Sequence, residues 1–338
     1  MRRLASTKFA FVAALLLPGA ALAQAPAPAP VCTGRDLIGD FRDAGSPEWA
    51  RISEAAERTI NARSVFWRIE GSAGPPSHLL GTVHLTDDRI NALPPAVETA
   101  LGAARRLALE VADLSPQSLG AAIARVQGLL VYADGQSLQH QLSPEELATA
   151  RQAIEKAGMP AAAIASLKPW VVGMTLSLSD CERRRAATGL EPLDLRLAGR
   201  ARQRGIPVVG LETLEDQLRA MAAVPEGDQL TILKAGLKLY GLSDDMIETM
   251  VARYLGRELG LIWPLQEEIW RRAGYPPAAF ASFQHELVTV RNVRMRDAAL
   301  PLLAEGGVFI AVGALHLPGM NGLVELIRGA GYKVTPGE

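Results

Sequence analysis

Short apolar runs alternate along the chain with longer stretches in which apolar residues recur every three to four positions. The runs predict strands at residues 64–69, 78–84, 106–111, 206–211, 308–315 and 332–334, the first two forming a hairpin. The intervening stretches predict helices. The runs at 106–111, 206–211 and 308–315 are nearly all apolar, as in parallel strands that are covered on both faces. We therefore expect an α/β fold with a mixed, largely parallel sheet and helices on both faces.

The same pattern predicts how the chain is organised. Residues 36–338 are expected to form a single α/β domain with long helical insertions at about 115–185 and 222–300. These insertions are expected to form a cap over one edge of the sheet. Alternating Ala and Pro residues before the domain predict an extended spacer at 24–35.

Residues 1–23 have the pattern of a secretory signal peptide. Arg2, Arg3 and Lys8 precede an apolar stretch at 9–17, and a small-x-small cleavage site follows at 21–23. The apolar stretch is short for a membrane span, although an uncleaved N-terminal anchor is the alternative. No later run resembles a membrane span, so we expect a periplasmic or secreted protein with no integral membrane segment after cleavage.

The composition and charge of the chain bear on which ligands it could bind and on the state of its cysteines. The 338 residues are 49% hydrophobic and 21% charged, with a formal net charge of −1. This is an ordinary globular composition, and it offers no charge excess for binding nucleic acid or an anionic membrane surface. The two cysteines, Cys32 and Cys181, both lie in the predicted exported part, where an oxidising compartment favours a disulfide. Two unpaired thiols are the alternative.

Four polar residues follow four apolar runs. His84 and His316 each end a Gly-x-x-His-Leu word, and Glu110 and Glu212 come directly after the runs at 106 and 206. Ligand sites of open α/β sheets lie outside the carboxyl ends of the strands. The pattern therefore predicts that the four side chains meet in one crevice.

Two imidazoles and one or two carboxylates suit a divalent metal such as Zn, Mn or Co, which would lower the pKa of a bound water. Asp113 is close enough in sequence to Glu110 to reach the same site or to orient a ligand. Without a metal, a histidine and a glutamate across the crevice could act on water as general base and orienting group. Each residue also has a purely structural interpretation, such as capping a loop or a helix. The sequence contains no GxGxxG word after a strand, Walker loop, GxSxG elbow, CxxC pair or HExxH word.

Several words resemble the TraB/GumN family, which is related to the Tiki proteins. In chain order they are LLGTVHL, LALEVAD, LKPW, GLEPLD, GIPVVGLETLEDQ, VRNVRM and VFIAVGALHLPG, and they span roughly residues 64–335. The resemblance implies a fold akin to erythromycin-esterase-like and ChaN-like proteins. It also implies functional roles for the residues that match the family words, namely His84, Glu110, His316, Arg291 and Asn292.

The Tiki relatives imply a metal-dependent protease with Mn or Co, whereas ChaN-like relatives imply that the fold can bind haem without hydrolysis. The leading hypothesis is an exported metal-dependent hydrolase that acts on a peptide or small-molecule substrate in the cell envelope. His84, Glu110 and His316 would hold the metal, Glu212 or Asp113 would orient water or substrate, and Arg291 would bind a carboxylate or stabilise an oxyanion. The alternatives are a non-catalytic binding protein for haem, metal or a small ligand, and an accessory protein of envelope or polysaccharide machinery.

Overall fold

A computed structural model of the chain describes residues 30–42, 46–71, 74–133 and 135–337. The predicted signal peptide and residues 24–29 of the predicted spacer lie outside the described residues. No described helix is both long and apolar enough to cross a membrane.

A six-stranded mixed sheet forms the centre of the described chain, which confirms the predicted α/β class. Its spatial order is β4-β3-β5-β2-β1-β6. The neighbours β4, β3, β5 and β2 run parallel, while β1 is antiparallel to both β2 and β6. The strands are β1 Phe66–Glu70, β2 Ser77–Thr82, β3 Arg106–Leu109, β4 Val208–Gly210, β5 Val308–Gly313 and β6 Lys333–Pro336.

The central strand β5 shows why the predicted parallel runs are apolar throughout. Successive side chains of a strand point to opposite faces, and both faces of this sheet are covered. Phe309 and Ala311 pack in one core cluster, whereas Val308, Ile310 and Val312 pack in another. All five side chains are therefore buried.

Helices cover both faces of the sheet. Apolar residues of α3, α8 and α11 pack with Phe309, and those of α14 and α15 pack with Ile310. The α-helices of the described chain are α1 Pro47–Arg58, α2 Asp88–Asn91, α3 Pro95–Gly102, α4 Pro116–Leu130, α5 Pro144–Lys156, α6 Pro169–Leu176, α7 Asp180–Ala187, α8 Leu193–Gln203, α9 Leu214–Ala223, α10 Glu226–Lys238, α11 Ser243–Leu255, α12 Ile262–Arg272, α13 Ala278–Gln284, α14 Arg291–Glu305 and α15 Leu323–Gly329.

Helices of the two predicted insertions pack against each other. Helix α10 of the second insertion contacts α5 and α6 of the first. Helices α6 and α7 are separate, because the Ser179 side chain accepts a hydrogen bond from the backbone of Glu182 and begins α7 there. A π-helical segment, His285–Val290, connects α13 to α14.

The predicted disulfide is confirmed. Cys32 and Cys181 are bonded, and their Cα atoms lie 5.6 Å apart. The bond fastens the segment before α1 to helix α7. Beside it, the Arg185 side chain donates a hydrogen bond to the carbonyl of Pro30 at 3.1 Å.

Candidate functional site at the carboxyl edge of the sheet

The four polar residues predicted from the strand ends lie at one edge of the sheet. Glu110 follows β3 directly, Glu212 lies two residues beyond β4, and His84 lies two residues beyond β2. His316 ends the 3₁₀ turn Ala314–His316 that follows β5. Since β4, β3, β5 and β2 are parallel neighbours, their carboxyl ends present the four residues side by side.

Gly313 marks the point on which three of these side chains converge. A Cβ atom on Gly313 would lie 3.2 Å from Glu110 Oε1, 3.4 Å from His316 Cδ2 and 3.7 Å from His84 Nε2. Any side chain at position 313 would therefore fill the space that the three functional groups surround. The glycine of the second Gly-x-x-His word is therefore explained by the close approach of these three side chains to its backbone, and not by an unusual backbone conformation.

Glu110 is buried and held from three directions. Its Oε1 accepts a hydrogen bond from the backbone N–H of Gly313 at 2.6 Å, and its Oε2 accepts from Arg291 at 2.6 Å and from Gln217 at 3.0 Å. Burial would raise the pKa of Glu110, but His316, Arg291, His84 and the Gly313 N–H outweigh it and lower the pKa to about 2. The carboxylate is therefore ionised at neutral pH.

Arg291 joins Glu110 to Glu212. Its Nη2 donates to both glutamates, its Nε donates to Glu212 at 3.1 Å, and its Nη1 donates to the carbonyl of Leu287 at 3.1 Å. Burial would lower the pKa of Arg291, but the two carboxylates raise it. The N–H groups of this arginine are thus directed at protein acceptors, and its role in the geometry is to hold two carboxylates in place.

The π-helical segment lies immediately before Arg291. A π turn inserts an extra residue relative to an α-helix and so rotates the helix that follows. Leu287, whose carbonyl accepts from Arg291, belongs to this segment. The segment therefore helps to set the orientation of the guanidinium group toward the carboxyl edge.

Asn292 orients the ring of His316. The Asn292 Nδ2 donates to the carbonyls of His316 and Asn321 at 3.2 and 2.7 Å, which leaves its Oδ1 as the acceptor 2.6 Å from His316 Nδ1. Nδ1 therefore carries the proton, and Nε2 presents a lone pair at 3.7 Å from Glu110 Oε1. Burial, together with Arg291 and His84, lowers the pKa of His316 to about 4 despite the opposing effect of Glu110, so the ring is neutral.

His84 is held by Asp194. Its Nδ1 lies 2.7 Å from Asp194 Oδ2, while Asp194 Oδ1 accepts a hydrogen bond from the Thr82 hydroxyl at 2.6 Å. The His84 side chain keeps 60% of its surface exposed. Desolvation opposes a charge on the ring, but Asp194 and Glu110 outweigh it and raise the pKa of His84 to about 9. The two histidines of the site thus have opposite protonation states at neutral pH.

Asp113 has a different position from the other predicted residues. Its carboxylate accepts hydrogen bonds from the backbone of Ser115 at 2.9 Å and from the hydroxyl of Ser118 at 2.5 Å. These contacts lie at the start of α4, where Asp113 is exposed. The two serines lower the pKa of Asp113. The structure therefore places Asp113 at a helix start and not beside Glu110.

Asp194 and Gln217 contact the site although the strand-end pattern did not identify them. Both lie in the first turn of a helix, α8 and α9 respectively, where a polar residue usually indicates capping. The family resemblance could have identified them, because Asp194 ends the GLEPLD word and Gln217 ends the LETLEDQ word.

The donor types of the site fit a divalent metal. A carboxylate oxygen of Glu110, Nε2 of His84 and the ring of His316, whose nearest atom is Cδ2, surround one point. Nδ1 of each ring is hydrogen-bonded, as is typical of metal-ligating histidines. Within the part of the chain that the structure describes, however, no three His, Cys, Asp or Glu side chains already stand in a metal-binding arrangement. Binding would require His84, Glu110 and His316 to close around the ion.

Comparison with known proteins agrees with the words found in the sequence. The model of the TraB/PrgY/gumN family matches residues 65–336. The chain is 24% identical over 254 residues to uncharacterized protein YbaP of Shigella flexneri, which covers 75% of this chain and 88% of that protein. It is 24% identical over 253 residues to uncharacterized protein YbaP of Escherichia coli K12, covering 74% and 87% of the two chains. No solved structure matches the chain significantly.

Proposed function

Because the chain belongs to the TraB/PrgY/gumN family, we propose that it is an exported, metal-dependent hydrolase that cleaves peptide bonds at the carboxyl edge of the sheet. The observation that supports the proposal is the convergence of His84, Glu110 and His316 on the space beside Gly313. Three side chains from three different strand ends would not be expected to meet there for packing alone, since two of them bear charge.

His84 and His316, through Nε2, and Glu110, through Oε1, would hold the metal. A divalent ion in this position would supply a Lewis acid and lower the pKa of a nearby water toward neutrality. The neutral state of His316 suits this role because its Nε2 lone pair needs no deprotonation. His84 would have to lose a proton, so binding of the metal would release protons and strengthen with pH.

The remaining residues would position these three groups. Arg291 and Gln217 fix the carboxylate of Glu110, Asn292 fixes the ring of His316, and Asp194 fixes the ring of His84. Glu212 is almost fully buried beneath Arg291, with a side-chain exposure of 2%, which suits a charge partner better than a group that touches substrate.

The disulfide supports the exported location. Bonded cysteines persist in oxidising compartments such as the bacterial periplasm and are rare in the cytosol. The Cys32–Cys181 bond and the signal-peptide pattern at residues 1–23 therefore support a periplasmic or secreted protein.

The test combines metal analysis with a broad peptide-cleavage screen of the purified protein. We expect the wild type to bind about one equivalent of Mn, Co or Zn and to cleave peptides, whereas His84→Ala and His316→Ala lose both properties. His78→Ala is the matched control, because His78 lies on the same strand as the first word but stacks on Phe66 away from the site. Wild type without divalent metal, and site variants equal to it in every assay, would exclude the proposal.

Titration with haem tests the non-catalytic alternative in the same preparation. Saturable haem absorbance that depends on His84 and His316, in a protein that cleaves no peptide, would replace the hydrolase by a binding protein. Peptide cleavage that depends on both histidines and on added metal would support the hydrolase.

A further inference from the structure

The backbone that carries His84 continues past the sheet without entering another regular element. Strand β2 ends at Thr82, and residues 83–87, called the His84 segment below, belong to neither a helix nor a strand. The side chains of Val83 and Leu85 pack in the core. Such packing supplies no partners for backbone N–H and C=O groups, which are normally paired when they are buried. The contacts that hold this backbone therefore affect where the imidazole lies.

Helix α7 holds the His84 segment through Thr86. The Thr86 N–H donates to Glu182 Oε1 at 2.5 Å, and the Thr86 carbonyl and hydroxyl oxygens accept from Arg185 at 2.9 and 3.1 Å. Glu182 and Arg185 are three positions apart and so lie on one face of α7. Thr86 and Glu182 are both buried. Each of these hydrogen bonds involves a charged group, which makes it stronger than a bond between neutral groups.

The disulfide fastens α7 close to these contacts. Cys181, which is bonded to Cys32, directly precedes the glutamate that accepts from the Thr86 N–H. Arg185 also donates to the carbonyl of Pro30 at 3.1 Å, so α7 is attached to the segment before α1 at two points. A continuous set of contacts therefore connects the disulfide to the His84 segment.

These contacts complement the hydrogen bond between His84 and Asp194. Asp194 fixes the ring through Nδ1, whereas α7 fixes the backbone from which the ring projects. A metal site needs both, because its ligands must be held within about 0.5 Å of the productive geometry. A shift of the backbone would move Nε2 of His84 relative to Glu110 and His316.

We propose that Glu182 and Arg185 are positioning residues for His84, and that the Cys32–Cys181 bond supports metal binding by holding α7 in place. The inference rests on the proposed metal site, since positioning matters for function only if His84 binds an ion. The underlying contact between α7 and the His84 segment needs no metal, so it is measured separately.

Amide hydrogen exchange in the metal-free protein tests this contact. Glu182→Leu removes the acceptor, so the Thr86 amide should exchange at least roughly tenfold faster. The Ile310 amide of the central strand β5 reports the stability of the whole fold in the same spectra and should change less. Glu182→Gln keeps a side-chain oxygen and should restore most of the protection. Equal acceleration of both amides by Glu182→Leu would show that Glu182 supports only the fold as a whole, and would overturn the proposal.

Cobalt binding tests the effect on the site, because the visible absorbance of Co²⁺ depends on its ligands and geometry. We expect Glu182→Leu and Arg185→Met to bind Co²⁺ roughly tenfold more weakly than wild type. Arg184→Met is the matched control, because Arg184 is exposed on the same helix, and it should bind like wild type.

The two measurements separate failure of this proposal from failure of the proposed function. Faster Thr86 exchange with unchanged Co²⁺ affinity would show that α7 holds the segment without positioning His84, and would overturn the proposal alone. Wild type that binds no Co²⁺ would overturn the metal site and the positioning role together. In that case the exchange rates still decide whether α7 holds the segment.

The double variant Cys32→Ser/Cys181→Ser tests the disulfide without a thiol reductant, which would itself bind Co²⁺. Its Thr86 amide should exchange faster relative to Ile310, and its Co²⁺ affinity should fall. Circular dichroism and thermal unfolding establish that each variant is folded, and Arg185→Met, which keeps the disulfide, provides the test if the double variant does not fold. A folded double variant with wild-type Thr86 exchange and Co²⁺ affinity would overturn the role assigned to the disulfide.

Discussion

The side-chain oxygen of Asn292 lies 2.6 Å from Nδ1 of His316 and determines which ring nitrogen carries the proton. The orientation of the amide follows from its other contacts, since Nδ2 faces the carbonyls of His316 and Asn321, which can only accept. Asn292 is fully buried, so no water competes for these bonds. The pair leaves Nε2 of His316 unprotonated and directed toward Glu110.

Replacing Asn292 by leucine should release this constraint. Asn292→Leu keeps the approximate side-chain size but leaves the carbonyls of His316 and Asn321 and one imidazole N–H without their partner, so we expect a loss of about 1–3 kcal/mol in the free energy of unfolding. Urea unfolding measures this loss, and ¹⁵N spectra of the His316 ring report the tautomer. A double-mutant cycle with His316→Leu should show coupling between the two positions. Purely additive losses would mean that the hydrogen bond does not orient the ring.

Arg291 should be essential for stability because it compensates two buried carboxylates. Removing one partner of a buried ion pair leaves an uncompensated charge, and we expect Arg291→Met to cost about 3–5 kcal/mol in urea unfolding. Side-chain exposures of 9% for Glu110 and 2% for Glu212 support this expectation.

Adding Glu212→Gln to Arg291→Met should recover part of that loss, since it removes one of the two unpaired charges. Arg294→Met provides the control, because Arg294 is exposed on the same helix and its replacement should change stability by no more than about 0.5 kcal/mol. Equal stability of both single variants would contradict the role assigned to Arg291.

The strand-end residues could be predicted from the sequence because one rule connects local pattern to position. Apolar runs predict parallel strands, parallel strands place their carboxyl ends together, and so His84, Glu110, Glu212 and His316 had to be neighbours if the strands were adjacent. The order of the strands was not predictable, since it depends on long-range packing.

Asp194 and Gln217, which contact the site residues, were harder to predict. A polar residue in the first turn of a helix gives the same sequence pattern whether it caps the helix or contacts a site. Asp113 is close enough to Glu110 in sequence to reach the same site, and its carboxylate accepts hydrogen bonds at the start of α4. Asp194, in the first turn of α8, contacts His84. Only tertiary structure separates the two cases. The π-helical segment before Arg291 likewise leaves no signature in the apolar periodicity.

Asp194 should control the charge of His84. Asp194 lies 2.7 Å from Nδ1 of the ring and, with Glu110, raises the pKa of His84 to about 9 against the opposing desolvation. Asp194→Asn removes the nearer negative charge, so the pKa should fall well below that value. NMR titration of the ring protons measures it, and His78 serves as the internal control because its pKa should not change. A pKa that stays near 9 in the variant would assign the shift to Glu110 alone.

The disulfide should stabilise the fold by restricting the unfolded chain. The bond closes a loop with a sequence separation of 149 residues, and loss of a native disulfide typically costs about 2–5 kcal/mol. Reduction of the wild type should therefore lower the melting temperature. The double variant Cys32→Ser/Cys181→Ser should resemble the reduced wild type and be insensitive to reductant. A melting temperature that reduction leaves unchanged would contradict the stabilising role.

Stability of the metal-free protein should rise with pH between 4.5 and 6.5 because of His316. Its pKa is lowered from 6.5 to about 4 in the folded state, so in this range the unfolded chain binds a proton that the folded protein excludes. Acidification from pH 6.5 to 4.5 should therefore remove about 2 kcal/mol from the free energy of unfolding through this group.

The contribution of His84 to stability depends on pH in the opposite direction. Its raised pKa stabilises the fold at low pH, and this contribution is lost between pH 6.5 and about 9. The contribution of Glu110, whose pKa is lowered, disappears only below pH 4.5.

Urea unfolding at pH 4.5, 5.5 and 6.5 tests the contribution of His316 to stability. The wild type is compared with His316→Gln, which retains every other titrating group. The slope of stability against pH should be smaller in the variant, and equal slopes would mean that His316 is protonated in the folded protein.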